Sequence, residues 1–304
     1  MEVYLPNFLI VGAAKSGTTS LYQYLHEHPE IFMSGNKEPR FFISSVFTNM
    51  SSDDPRYSAL LDLTITEYDE YTKLFRDAGK YKAIGEATAT YLYYYQEAIP
   101  NIKKYLNDVK IIIILRNPVD RAFSSYRHLV REQYETRSFE ECLELEEARK
   151  QNNWSLLNFY KDAGNYYRQV KSYIDNFKLV KIVLYDHLRA DNIALIKDIY
   201  RFLEVSDRFV PNFNKQYNVS YIPKSIFLNN FFVKSNAFKK NLKPIVDFVF
   251  PPHKRKKIIA ELKTFNEANY QMNPKTREVL KEAFREDIIM LQTLINMDLS
   301  HWLN

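Results

Sequence analysis

A short apolar run that stops on a glycine and gives way at once to helical spacing constrains this chain more than any other feature. Phe8–Val11 is continuously apolar, Gly12 interrupts it, and Leu21, Tyr22 and Leu25 then fall on one face of a helix expected over Thr18–His28. A buried strand, a glycine turn and a helix form the first unit of an α/β fold whose parallel sheet is covered on both faces. A second unit is predicted from the strand Lys110–Leu115 through Asn117 and Pro118 into a helix over Val119–Gln133. Proline fits there because the first helical N–H has no partner to lose.

The same spacing rules predict strands at Tyr81–Gly85 and Val180–Tyr185. They predict helices at Glu67–Ala78, Ser138–Lys150, Trp154–Phe177 and Asn192–Leu203. Beyond Glu204 the pattern changes to a loop over Pro211–Ser225 and then to helices, the last opened by Pro274. No repeat or glycine- and serine-rich linker interrupts the 304 residues. The expectation is a P-loop-like three-layer α/β fold over 1–304, a single domain with its helical C-terminal third packed on the same core.

With 46% hydrophobic and 26% charged residues the chain can bury a core, which excludes disorder as the default. A formal charge of +5 favours anionic ligands mildly and singles out no nucleic-acid partner. Cys142 is the only cysteine, so an intrachain disulfide and a cysteine-built metal site are both excluded. No run of about 20 apolar residues is present. Without a visible secretion signal either, no transmembrane segment and a cytoplasmic location are expected.

Gly12–Thr19 reads GAAKSGTT, the glycine spacing of a phosphate loop with Thr18 where a nucleotide triphosphatase carries lysine and with the lysine moved to Lys15. Backbone N–H groups of such a loop, backed by the positive end of the following helix, bind an anion. The strand Lys110–Leu115 then ends in Arg116. An acidic residue there would hold Mg²⁺ against a nucleotide; a guanidinium instead pairs with a phosphate. Ser124, about two helical turns on, faces the same anion, so the two strand ends suit a nucleotide with a 5′ chain and a separate 3′-phosphate.

These residues resemble the PAPS-dependent sulfotransferases, within them the glycan-type branch related to heparan sulfate sulfotransferases and bacterial homologues. PNFLIVGAAKSGTTSLYQYLHEHP is similar to the family's 5′-phosphosulfate loop and ILRNPVDRAFSSY to its 3′-phosphate motif. Weaker similarity runs through KEPRFF, GEATATYLY, VLYDHL, NVSYIPKS and DLSHWL. The resemblance implies that Lys15, Ser16, Gly17, Thr18, Thr19 and Ser20 hold the 5′-phosphosulfate of PAPS, and that Arg116 and Ser124 hold its 3′-phosphate. It further implies Lys224 as a contact from a closing loop, Lys15 as the stabiliser of charge on the bridging oxygen, and Glu38 as the base. The product is adenosine 3′,5′-bisphosphate, no metal is required, and the acceptor is a small molecule or glycan. GEATATYLY departs from the pattern, since Ala87 stands where some glycan sulfotransferases carry lysine.

Other readings stay open at this level. Glu38 is a catalytic base or a loop charge paired with Lys37 or Arg40. Glu86 orients the acceptor or is a structural hydrogen-bond acceptor, and His128, one turn past Ser124, is a second candidate for substrate contact. Arg121 and Arg127 read as solvated helix charges, and Tyr91–Tyr95 with Tyr166 and Tyr167 as possible walls of a sugar cleft. A P-loop small-molecule kinase and a non-catalytic polyanion-binding module are the rival functions.

Overall fold

The computed structural model describes residues 4–213, 222–223, 267–268 and 271–304. Its centre is a sheet of five parallel strands, β1 (Phe8–Gly12), β2 (Ile31–Met33), β3 (Ala83–Ala87), β4 (Lys110–Leu115) and β5 (Val180–Leu184), in the order β2-β3-β1-β4-β5. Ile10 on the central strand pairs with Ala87 on one side and Ile112 on the other. Ile222–Pro223 and Glu267–Ala268 form a separate antiparallel pair, β6 and β7.

Before β3 come α1 (Thr18–His26), α2 (Ser44–Thr48), α3 (Tyr57–Asp62) and α4 (Tyr68–Lys73). Then follow α5 (Tyr95–Leu106), α6 (Pro118–Arg131), α7 (Phe139–Gln151), α8 (Tyr166–Asn176), α9 (Tyr185–Ala190), α10 (Asn192–Phe202) and α11 (Pro274–Ile295). Successive strand residues point to opposite faces of the sheet, and the core divides accordingly. Phe8, Ile10, Ile112 and Ile114 pack with α1, α9 and α10. Leu9, Val11, Ile111, Ile113 and Leu115 pack with α5, α6, α8 and α11. Two helical layers therefore sandwich the sheet, as the alternation of apolar strands and helices predicts.

Local chemistry sets several boundaries. The Asn117 side chain caps α6 by accepting from the Val119 N–H at 3.0 Å, with Pro118 as the first helical residue. Ser138 and Glu141 form a reciprocal capping box on α7. Asn273 caps α11 ahead of Pro274, and Asn296 ends it in the left-handed conformation.

Four expectations are corrected. The predicted helix Trp154–Phe177 is broken into short turns at Leu156–Asn158 and Asp162–Gly164 before α8 begins. Distant carboxylates take the N–H groups that a helix would use: Asp54 accepts from Ser155, Glu146 from Lys161 and Asp162, and Asp287 from Tyr166. The helix predicted at Glu67–Ala78 shrinks to α4, because tight turns after Lys73 drop Phe75 and Ala78 into the core. β3 extends to Ala87, two residues past the predicted end, which draws Glu86 inside the sheet. Arg121 is not solvated: it is 1% exposed, with Nη2 donating to the carbonyls of Phe159 and Tyr160.

Candidate active site

Parallel strands deliver their C-terminal ends to one edge of the sheet, where open α/β folds bind ligands. β1 runs into Gly12 and the loop, β3 into Thr88, β4 into Arg116 and β5 into Tyr185. Backbone bonds carry the segment after β2 to the same edge, with the Ser34 N–H on the Gly85 carbonyl and the Glu38 N–H on the Ala87 carbonyl, each at 2.9 Å. These ends open on a cavity of about 1100 Å³. Lys15, Gly17, Thr18, Thr19, Ser20, Glu38, Arg116, Ser124 and His128 all line it.

At the end of β1 the cavity meets a helix start without a side-chain cap. Gly17 occupies the cap position of α1 at φ 95, and the first turn holds no acidic residue. Its orphan N–H groups therefore face the cavity, ready for an anion. A Cβ at Gly17 would lie 2.7 Å from the Tyr185 ring, so close approach as well as the left-handed backbone requires glycine. Ser16 differs from its neighbours: its side chain is fully buried and lies outside the cavity lining.

Arg116 joins the two halves. Its Nη1 donates to the Lys15 carbonyl at 3.2 Å, and its guanidinium lies over the Tyr185 ring at 4.9 Å. Eight cationic side chains line the cavity against two carboxylates, Glu38 and Asp120, an excess that suits a polyanion. Burial lowers the Lys15 ammonium to about 7, helped by Arg131, Arg116 and Arg56 and opposed by Glu38. An anion beside Lys15 would restore its charge.

Glu38 makes both the pairs that the loop-charge reading foresaw, with Lys37 Nζ on Oε1 at 2.8 Å and Arg40 Nη2 on Oε2 at 3.2 Å. Its carboxylate nevertheless faces the cavity. Burial works to raise its pKa, yet Lys37 and Arg40, with Arg56 behind them, hold it at about 2. Lys15, Glu38 and Arg40 all have positive φ, at 72, 66 and 58. Three side-chain-bearing residues in that region within one site mark a backbone held by its surroundings for the sake of the site.

His128 also lines the cavity. Burial, with Lys15, Arg131 and Arg56, drives its pKa down to about 2, so the ring is neutral. Arg131 Nη2 lies 3.0 Å from Nδ1, and since a guanidinium only donates, Nδ1 accepts and Nε2 carries the proton. That tautomer is a hydrogen-bond donor toward Nε2 and has no free basic nitrogen. His28 is 2% exposed, accepts from the Glu30 N–H and donates to the Ser206 carbonyl, and is not part of the cavity lining.

Glu86 is 0% exposed and lies outside the cavity lining, accepting from the hydroxyls of Thr88, Tyr71 and Tyr91 at 2.5, 2.9 and 3.3 Å. Burial raises it to about 7 against the hydrogen bonds of those hydroxyls. With a folded pKa above the unfolded value of 4.5, the native state binds more protons between the two, so stability falls as pH rises through this window. Glu86→Gln is expected to flatten that slope in urea melts between pH about 5 and about 8; an unchanged slope would assign it to another group.

Lys224 lies outside the described residues. Residues that sequence reasoning did not single out also reach the cavity. Arg56 enters from the turn ahead of α3, and Arg277 of α11 pairs with Asp120 of α6 at 2.8 Å across its rim. Neither stands in a motif; only the fold brings them there.

A sulfotransferase-family profile matches residues 6–208. The chain belongs to the sulfotransferase family. A bacterial sulfotransferase structure from Alicyclobacillus acidocaldarius is 32% identical with a TM-score of 0.74, and the match covers 99% of this chain and 100% of that one. The membrane-associated sulfotransferase kil1 of Dictyostelium discoideum is 35% identical over 40% of this chain and 22% of its own length. A mouse bifunctional heparan sulfate N-deacetylase/N-sulfotransferase 4 is 26% identical over 74% of this chain and 24% of its own. This sulfotransferase-family chain thus spans about a quarter of the length of those two curated relatives. Among its described residues no helix is long and apolar enough to cross a membrane.

Proposed function

We propose that the protein transfers a sulfuryl group from PAPS to a hydroxyl or amine of a carbohydrate or glycolipid acceptor, with Glu38 as the base. The observation that carries this reading is the convergence of Lys15, Arg116, Ser124 and Glu38 on one cavity at one sheet edge. The uncapped start of α1 and Lys15 suit the 5′-phosphosulfate, and Arg116 with Ser124 suits the 3′-phosphate. PAPS supplies an activated sulfuryl group; the chain's residues position it and move the proton.

Glu38 accepts the acceptor's proton as the nucleophile approaches sulfur, and Lys15 with the loop amides offsets charge on the departing oxygen. Gly17 and the buried strand ends hold these groups in place before the reaction, which is where such stabilisation gains its strength. The heparan sulfate relative supports a glycan acceptor, and a cytoplasmic setting agrees with the single buried thiol, Cys142. Leu280, Phe284, Ile288 and Trp302 share the core beneath the sheet, which supports reading the chain as one domain.

Calorimetry with adenosine 3′,5′-bisphosphate in EDTA tests the donor. Binding without metal, weakened about 30-fold or more by Arg116→Gln, is expected, because truncating one partner of a desolvated charge pair costs about 2–5 kcal/mol. Binding of Mg²⁺-ATP but not of the bisphosphate would replace this reading with the kinase.

A further inference from the structure

Tyr93, Tyr95 and Tyr167 come from two distant stretches of sequence and meet on a second cavity of about 890 Å³, separate from the one that holds Lys15 and Glu38. Its charge is opposite in sign. Among the described residues Glu97, Asp162, Glu286 and Asp287 line it against one cation, Arg168. Glu97 and Glu286 make no ion pair among the described residues.

The walls are rigid where they need to be. Tyr93 donates to Asp162, which also pairs with Lys150 at 2.9 Å, and Asp287 accepts the N–H groups of Tyr166 and Tyr167 at 2.7 and 3.1 Å. Those bonds fix α11 against the start of α8 and hold the Tyr167 ring at the cavity.

Aromatic faces carry partial negative charge and attract ammonium groups, and unpaired carboxylates add to that attraction. Asn165 and Gln96 on the same wall supply amides for hydroxyl groups, and the volume matches a ligand of several rings' size. We propose that this cavity binds an oligosaccharide of amine-bearing sugars, outside the transfer centre. Val46 lines it while the adjacent Phe47 lines the transfer cavity, with the Tyr94 ring 6.5 Å from that of Phe47, so the two cavities share the wall made by α2. The inference stands on this second cavity alone and does not require PAPS as donor.

Calorimetry on the full chain decides it, with a glucosamine tetrasaccharide, its N-acetylated counterpart, an acidic heparosan tetrasaccharide and spermidine as probes. The glucosamine oligomer is expected to bind at least about tenfold more tightly than the other three, as an ammonium held by rings and carboxylates should. Tyr95→Ala and Tyr167→Ala, both at part-exposed positions packed against the core, are expected to weaken it about tenfold while each variant keeps a cooperative melt and unchanged bisphosphate affinity. Glu97→Gln with Glu286→Gln should remove the preference over the acetylated oligomer. Adenosine 3′,5′-bisphosphate should leave the affinity unchanged. Absence of binding at millimolar concentration, equal binding of the acidic oligomer or spermidine, displacement by the bisphosphate, or indifference to the tyrosine variants would each overturn the assignment.

Discussion

Lys15→Met is expected to lower kcat/KM by about 10²- to 10³-fold or more, because it removes a preorganised cation from the position where charge develops on the departing oxygen. The effect has a signature that a merely structural lysine would lack. Burial holds this ammonium at about 7 in the free protein, so near neutrality it is only partly charged. An anion bound beside it raises that pKa, and above about 7 binding must then take up a proton. Affinity for adenosine 3′,5′-bisphosphate should fall as pH rises from about 7 toward the bound-state value, by up to tenfold per unit. Calorimetry at pH about 8 in buffers of different ionisation enthalpy reads the uptake directly; the ligand's own phosphate, with a second pKa of about 6, contributes little there. Equal proton uptake in wild type and Lys15→Met would remove Lys15 from the site.

Glu38→Gln is expected to reduce kcat by about 10²- to 10⁴-fold, the usual worth of a positioned base, with little change in bisphosphate affinity. Glutamine keeps the shape and accepts from Lys37 or Arg40, but it cannot take a proton. A carboxylate held at about 2 by neighbouring cations is a weak base at rest. An acceptor that displaces Lys37 from Oε1 removes part of that restraint and raises its basicity at the moment of need. Because Glu38 stays ionised throughout the usual range, its protonation should set no acid limb in the rate profile between pH about 4 and about 6. Near-normal turnover by Glu38→Gln would exclude it as the base. His128, whose Nδ1 already accepts from Arg131, would then have to lose that bond before serving instead.

The sheet was legible where sequence and burial speak the same language. Phe8–Val11 and Ile111–Leu115 are apolar throughout because both their faces are covered, and each is followed by a residue that the fold then uses, Gly12 and Arg116. β2 was missed because three residues carry too little pattern, and α5 because Pro100 inside it masks the helical spacing of Ala98, Ile99 and Ile102. The stretch after Trp154 misled because its helical periodicity is real, while carboxylates from remote segments satisfy its backbone in another way. Of the residues that line the cavity, those on strand ends and on the first turn of α1 stand at positions that spacing marks, whereas Ser16, marked in the same way, is buried outside it. Arg56, Arg277 and the buried seat of Glu86 were not readable, since nothing local dictates what a loop or a distant helix will face.

The bond from Arg116 to the Lys15 carbonyl ties together the two groups proposed to hold the donor's two phosphate ends. Strain placed on Arg116 at the end of β4 therefore reaches the loop at the end of β1, and the effects of substitutions at Lys15 and Arg116 on bisphosphate affinity are expected to fail to add.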